Sequence, residues 1–134
     1  MTIWQPGMRI TAARQNDTTP TDSTTSGLVA ATGFTVTSFS GYRFFGVVSV
    51  NLYLQATTGV TVGANTENIT DTQFCTIPEG WRPQDILSVS WGSGAMVGEG
   101  IIRPNGIVDL RSVGYNTSIP VGANIRMSAC YVTP

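Results

Sequence analysis

The sequence predicts an all-β protein whose body, residues 28–134, is an antiparallel β-sandwich, jelly-roll-like in its strand count. Three observations carry that expectation. Apolar and polar residues alternate with a period of two, as in half-buried strands. Turn-forming clusters interrupt the runs at Ser40-Gly41, Thr58-Gly59, Pro78-Glu79-Gly80, Gly92-Ser93-Gly94, Pro104-Asn105-Gly106 and Pro120-Val121-Gly122. After residue 15 no apolar stripe recurs at helical spacing, and no repeat suggests a solenoid.

Residues 1–15 are a short amphipathic start. Trp4, Pro6, Met8 and Ile10 are its apolar members, and Thr11 could cap one helical turn through Arg14. Fifteen residues cannot bury a core. The segment is therefore read as an anchor peptide that docks on another protein, with a frayed terminus as the plainer alternative. Residues 16–27, NDTTPTDSTTSG, contain no large apolar side chain and read as a polar linker.

In the body, strands are expected near 34–39, 44–55, 60–62, 72–77, 86–91, 95–103, 107–113 and 124–131. Within 44–55, Val48, Val50, Leu52 and Leu54 share one face. Phe45, Val47, Ser49, Asn51, Tyr53 and Gln55 share the other, which is mixed rather than charged. Ile125, Met127, Ala129 and Tyr131 form the inner side of a last strand, with Cys130 on its polar side. One hairpin can be registered, in preference to a two-residue loop that would pair Ile102 with Asp109 and lose the apolar matching. A three-residue loop at Pro104, Asn105 and Gly106 sets Ile102 opposite Val108, Gly100 opposite Leu110 and Ile101 opposite Asp109. The same register places Glu99 opposite Arg111, a pair worth at most about 1 kcal/mol if exposed.

Composition narrows function more than any motif. There is no His, and all seven basic residues are Arg, so imidazole catalysis, Schiff-base lysines and P-loop lysines are excluded. Net charge is −1, which offers no field for a nucleic-acid backbone, and no nucleic-acid partner is expected. Cys75 and Cys130 lack metal-site spacing; each reads as a strand filler, with a disulfide between them the alternative. Asp71, Asp85, Glu99 and Asp109 are the carboxylates a glycosidase would need, but their settings are those of turns and caps. Neither catalysis nor a cofactor or metal is expected. No apolar run is long enough to span a membrane, and Pro6-Gly7 interrupts any signal-peptide core, so synthesis in the cytoplasm without export is expected.

Aromatics beside amides and hydroxyls can hold sugars or anchor protein interfaces. Trp81, Tyr115 and Asn116 are the candidates for such a ligand surface, whereas Trp91 and Phe44 read as core.

Two stretches carry a family resemblance. Trp4-Gln5-Pro6-Gly7-Met8-Arg9-Ile10-Thr11-Ala12-Ala13-Arg14-Gln15-Asn16 resembles the W-x-x-G-x-x-x-T-A-A-x-x-N opening of tail-fibre and other virion-surface proteins from phages and prophages of high-GC bacteria. Cys75-Thr76-Ile77-Pro78-Glu79-Gly80-Trp81-Arg82-Pro83 resembles a second phage-fibre pattern, followed by the hairpin with Asn105-Gly106. The resemblance implies a homotrimer on the particle surface, held to another virion protein by residues 1–15, with a head that meets a host-cell glycan. The short linker departs from long fibres and favours a tail tip, a spike, or a head-fibre or decoration protein on the capsid. Low charge gives trimerisation independent grounds. An outward face with Phe45, Val47 and Tyr53 would be an apolar patch in a lone chain, unless a second sheet covers it.

Overall fold

The structure is a computed structural model and describes residues 6–7, 20–62, 66–114 and 117–134. Nine strands form in chain order: β1 (Asp22–Thr24), β2 (Val29–Ala30), β3 (Phe34–Phe44), β4 (Val47–Ala56), β5 (Asn68–Thr76), β6 (Leu87–Gly92), β7 (Val97–Ile102), β8 (Ile107–Ser112) and β9 (Asn124–Val132). They join one sheet in the order β1-β3-β4-β9-β6-β7-β8-β5-β2, and every neighbouring pair is antiparallel. The sheet curls into a half-barrel, which brings β2 back near β3. The all-β antiparallel expectation therefore holds.

Alternation decides which side of each strand faces inward. Val48, Val50, Leu52 and Leu54 are fully buried, as their shared face predicts. Ile125, Met127 and Tyr131 of β9 join them, since β4 and β9 pair residue for residue from Val47↔Val132 to Gln55↔Asn124. The opposite wall supplies Phe74, Ile102, Val108 and Leu110. Phe34 and Phe74 meet edge to face at 5.1 Å, the arrangement the ring quadrupole favours. A bulge between Val36 and Ser38 moves β3 from even to odd inward positions, so Phe39 enters the core where strict alternation would expel it.

The 100–110 hairpin has the expected register, Gly100↔Leu110, Ile101↔Asp109 and Ile102↔Val108. Its loop closes by Gly106 N–H donating to the Arg103 carbonyl and Arg103 N–H to the Ile107 carbonyl. Gly106 takes φ 87°, the left-handed position that a three-residue loop assigns to glycine.

Four expectations change. Ser40-Gly41 is no turn but the middle of β3. Gly41 is there because Trp81 lies against its backbone: a Cβ would sit 2.8 Å from the indole. The chain turns instead at Phe45-Gly46, with Phe44 opposite Val47, so Phe45 belongs to the turn and not to a strand face. Residues 60–62 make only a single bridge, Val60↔Ile119. The stretch 16–27 is not all tether, because Asp22–Thr24 add an edge strand to β3. The Thr11–Arg14 turn falls outside the described residues.

Both cysteines are free thiols, so no disulfide joins them. Cys75 is buried in the core and its thiol is pushed well above the ordinary range by loss of hydration. Cys130 is exposed on the outer side of β9, as alternation predicts.

Candidate functional site

The end of the half-barrel that carries the Phe45-Gly46 turn, the 103–106 loop and the residues after β9 is the lower end. It is closed by the segment between β5 and β6. Trp81 N–H donates to the Pro78 carbonyl, closing a turn in which Gly80 takes φ 85°, as a type II turn requires. That turn lays the indole over Gly41 and under the Arg43 guanidinium, 4.8 Å from the ring centroid. Arg43 Nη2 also contacts the Gly80 carbonyl. Tyr131 donates its hydroxyl to the Trp81 carbonyl at 2.5 Å, and Arg82 Nε donates to the Ile77 carbonyl at 2.9 Å. Burial, reinforced by Cys75, pushes the Tyr131 phenol up, so it remains a donor. Trp81 is only 8% exposed and serves as a plug, not as a ligand-facing ring. The segment Ile77–Pro83 is thus a clasp, held by the Trp81 N–H, the Trp81, Gly80 and Ile77 carbonyls and Arg82 Nε, while Glu79 stays exposed beside it. A hollow of about 300 Å³, lined by Glu79, Gly80, Arg82, Pro104, Thr133 and Pro134, opens beside it.

The outer side of β3, β4 and β9 is one continuous face with two unlike halves. Register defines its rows. Nearest the lower end, Phe44, Val47 and Val132 lie side by side, and Tyr42, Ser49 and Cys130 form the next row. With Phe45 in the adjoining turn, the five large apolar side chains here are 36–66% exposed. Phe44, read from sequence as core, is one of them. Phe45 adds a cost of its own. Its φ is 56°, a conformation that disfavours side chains by roughly 1–2 kcal/mol, and it holds the ring in water.

Farther up, the face turns polar. Ser128 Oγ donates to Asn51 Oδ1 at 2.8 Å, and Asn51 Nδ2 donates to Ser40 Oγ at 3.4 Å. In the next row the Arg126 guanidinium stacks on Tyr53, 4.6 Å from the ring centroid. Gln55 Nε2 and Asn124 Oδ1 follow, 3.4 Å apart. Tyr53 is therefore on the outer face, as alternation predicts, but in the polar half.

The carboxylates lie mainly on the other wall. Asp109 is 7% exposed and accepts from Arg103 Nε, with Arg103 Nη2 also 2.9 Å from the same oxygen. Asp71 holds Arg111 at 3.2 Å and lies 3.8 Å from Arg103. The expected Glu99–Arg111 pair is absent: Arg111 turns to β5, and Glu99 accepts from Ser88 Oγ at 2.8 Å. A local register cannot show that a third strand offers a better partner. Asp109→Ala is expected to lower stability by about 2 kcal/mol, since it strands the Arg103 charge. Asp71→Ala, at an exposed pair, should cost under about 1 kcal/mol. Urea unfolding of the two variants checks the ordering.

Among the described residues, no three of His, Cys, Asp or Glu gather to hold a metal, and no helix is long and apolar enough to cross a membrane. Tyr115 and Asn116 lie outside the described residues, as do Trp4, Met8 and Ile10; Pro6 is exposed in a turn with Gly7. Sequence reasoning missed Tyr42, Phe44, Val132 and Arg126 as members of one face. The signal that could have found three of them was the apolar-to-polar gradient running oppositely along 44–55 and 124–132. Compared with known proteins, the chain matches no family model and no curated protein.

Proposed function

We propose that the chain is a non-catalytic phage structural protein, a short tail fibre or tip that assembles as a homotrimer on the virion. Residues 1–15 anchor it to another virion protein, and its β-sandwich head meets a host-cell glycan. One observation carries this reading: the exposed apolar half-face lies at the end where the chain enters the fold. Thr21 hydrogen-bonds the Arg43 carbonyl through both N–H and Oγ, and Phe45 N–H donates back to Thr21 Oγ. The entering peptide and the Phe44–Val47–Val132 row are therefore neighbours. A sister copy covering that row brings the anchor peptides of the assembly together at one end.

The sandwich description is supported by the join between β9 and β6, which pair only at Trp91↔Met127 and Gly92↔Arg126. On that view β1-β3-β4-β9 is one layer and β6-β7-β8-β5-β2 the other. Phe45 supports the interface directly. Backbone strain spent on an exposed aromatic ring makes sense where the ring is used.

A second reading, a capsid decoration or head-fibre protein, is favoured by the tether. Because Asp22–Thr24 belong to the sheet, fewer residues separate anchor from body than the polar run alone suggests. A short tether keeps the body close to the surface that holds it. One experiment tests both. Phage particles carrying the chain without residues 1–15 are imaged beside wild type. Loss of the protein from tails supports the first reading, and loss from heads the second. Retention of the truncated chain on particles overturns the anchor.

A further inference from the structure

We propose that the polar half of the outer β3–β4–β9 face is a binding site for an anionic saccharide, with Arg126 taking its oxyanion. This rests on the receptor-binding reading and names the ligand class and the residues.

The charge distribution points there first. β3, β4 and β9 carry no carboxylate, and their two cations are Arg43 and Arg126. Arg43 is committed to Trp81 and the Gly80 carbonyl. Elsewhere, Arg103 and Arg111 are neutralised by Asp71 and Asp109, and Arg82 bonds the Ile77 carbonyl. Among the described arginines, Arg126 alone has neither a carboxylate nor a backbone carbonyl as acceptor. Its contacts are the Tyr53 ring and a long approach of Nη2 to the Tyr53 hydroxyl at 3.5 Å. Stacking on a ring orders a guanidinium while leaving its donor edge open to a planar or tetrahedral oxyanion.

The surroundings suit a sugar. Asn51, Ser128, Gln55 and Asn124 flank the stack on both sides and supply donors and acceptors at the spacing of adjacent strands. On the β6 side Arg126 faces Gly92. Packing does not demand glycine there, because a Cβ would meet nothing nearer than 3.7 Å. The bare backbone leaves room beside the guanidinium. The site also lies away from the point where the chain joins the sheet: Thr21 pairs with Arg43 at the lower end, whereas these rows lie toward the opposite end.

Calorimetric titration tests the assignment with three probes: oligogalacturonate for the carboxylate, a phosphodiester-linked mannose phosphate oligomer for the phosphodiester, and uncharged malto-oligosaccharide. Binding of either anionic probe, weakened at least tenfold by Arg126→Ala and by Gly92→Val, and weakened by added salt, is the expected result. Arg111→Ala, a cation on the other wall, should leave it unchanged. Which anionic probe binds identifies the oxyanion. Equal binding of the neutral probe, no binding of either anionic probe, or binding indifferent to Arg126→Ala overturns the proposal. Unfolding midpoints of the variants separate a lost site from a lost fold. Adhesion to host bacteria separates the two levels. If wild type and Arg126→Ala adhere equally, this site is wrong and the receptor reading stands; if wild type does not adhere, the receptor reading itself falls.

Discussion

Gly98→Ala should destabilise the fold more than any other single methyl addition. Gly98 faces inward on β7, directly opposite Trp91 on β6. The indole lies across it, and a Cβ would sit 2.6 Å from the ring and 2.0 Å from the Ser112 carbonyl oxygen. That same carbonyl accepts the Trp91 Nε1–H at 3.1 Å. A methyl therefore cannot be accommodated by a side-chain rotation alone. Either β7 and β8 separate, or Trp91 leaves a position where it is 2% exposed and loses its hydrogen bond. Overpacking of about 3 kcal/mol and a lost hydrogen bond of about 1 kcal/mol give roughly 4 kcal/mol, a large share of a small domain's stability. For a body of this size that lowers the midpoint by about 15 °C or more. Gly46→Ala is the control, since a methyl there meets nothing within 4 Å. A Gly98→Ala midpoint within a few degrees of wild type would show that the Trp91 seat is not what holds the two walls together.

The second large effect concerns assembly. The proposed trimer should sediment at three times the 14.2 kDa chain mass. Phe45→Gly combined with Val47→Asp should bring it to the mass of one chain. Both side chains are exposed in the single chain, so the double variant should still fold. Phe45→Gly alone has a diagnostic sign. Glycine relieves the left-handed backbone at φ 56°, so the chain should be no less stable, while the trimer weakens. A residue that is strained in the monomer and useful only in the assembly behaves this way. Wild type sedimenting as a single chain, or a double variant that remains trimeric, removes the interface from the reading.

These expectations draw on features of unequal legibility. The inward set Val48, Val50, Leu52 and Leu54 and the 100–110 register were readable because both depend on neighbours within about ten residues. Gly41 shows the limit. A glycine that makes a turn and a glycine that admits an indole from 40 positions away look alike in sequence. Trp81 reads in sequence as a ligand-surface aromatic, yet the Pro78–Trp81 turn drives the ring inward. Of the face now assigned to assembly and binding, Val47 and Tyr53 were visible from alternation in β4. Phe44 was hidden by the misplaced turn, and for Val132 and Arg126 the only hint that β9 pairs with β4 was the opposed apolar-to-polar gradient of segments about 70–85 positions apart.

By itself, then, the chain's residue order determined the period-two architecture, the sidedness of individual strands, the three-residue hairpin, and the lack of histidine and lysine chemistry. Only the tertiary structure decided which outward faces adjoin, and hence that the outer side of β3, β4 and β9 is apolar at one end and polar around a carboxylate-free arginine at the other. The physical reason is range. Backbone sterics and side-chain alternation act over a few residues, whereas strand order is selected by burial and hydrogen bonding between segments up to 85 positions apart, here between β4 and β9.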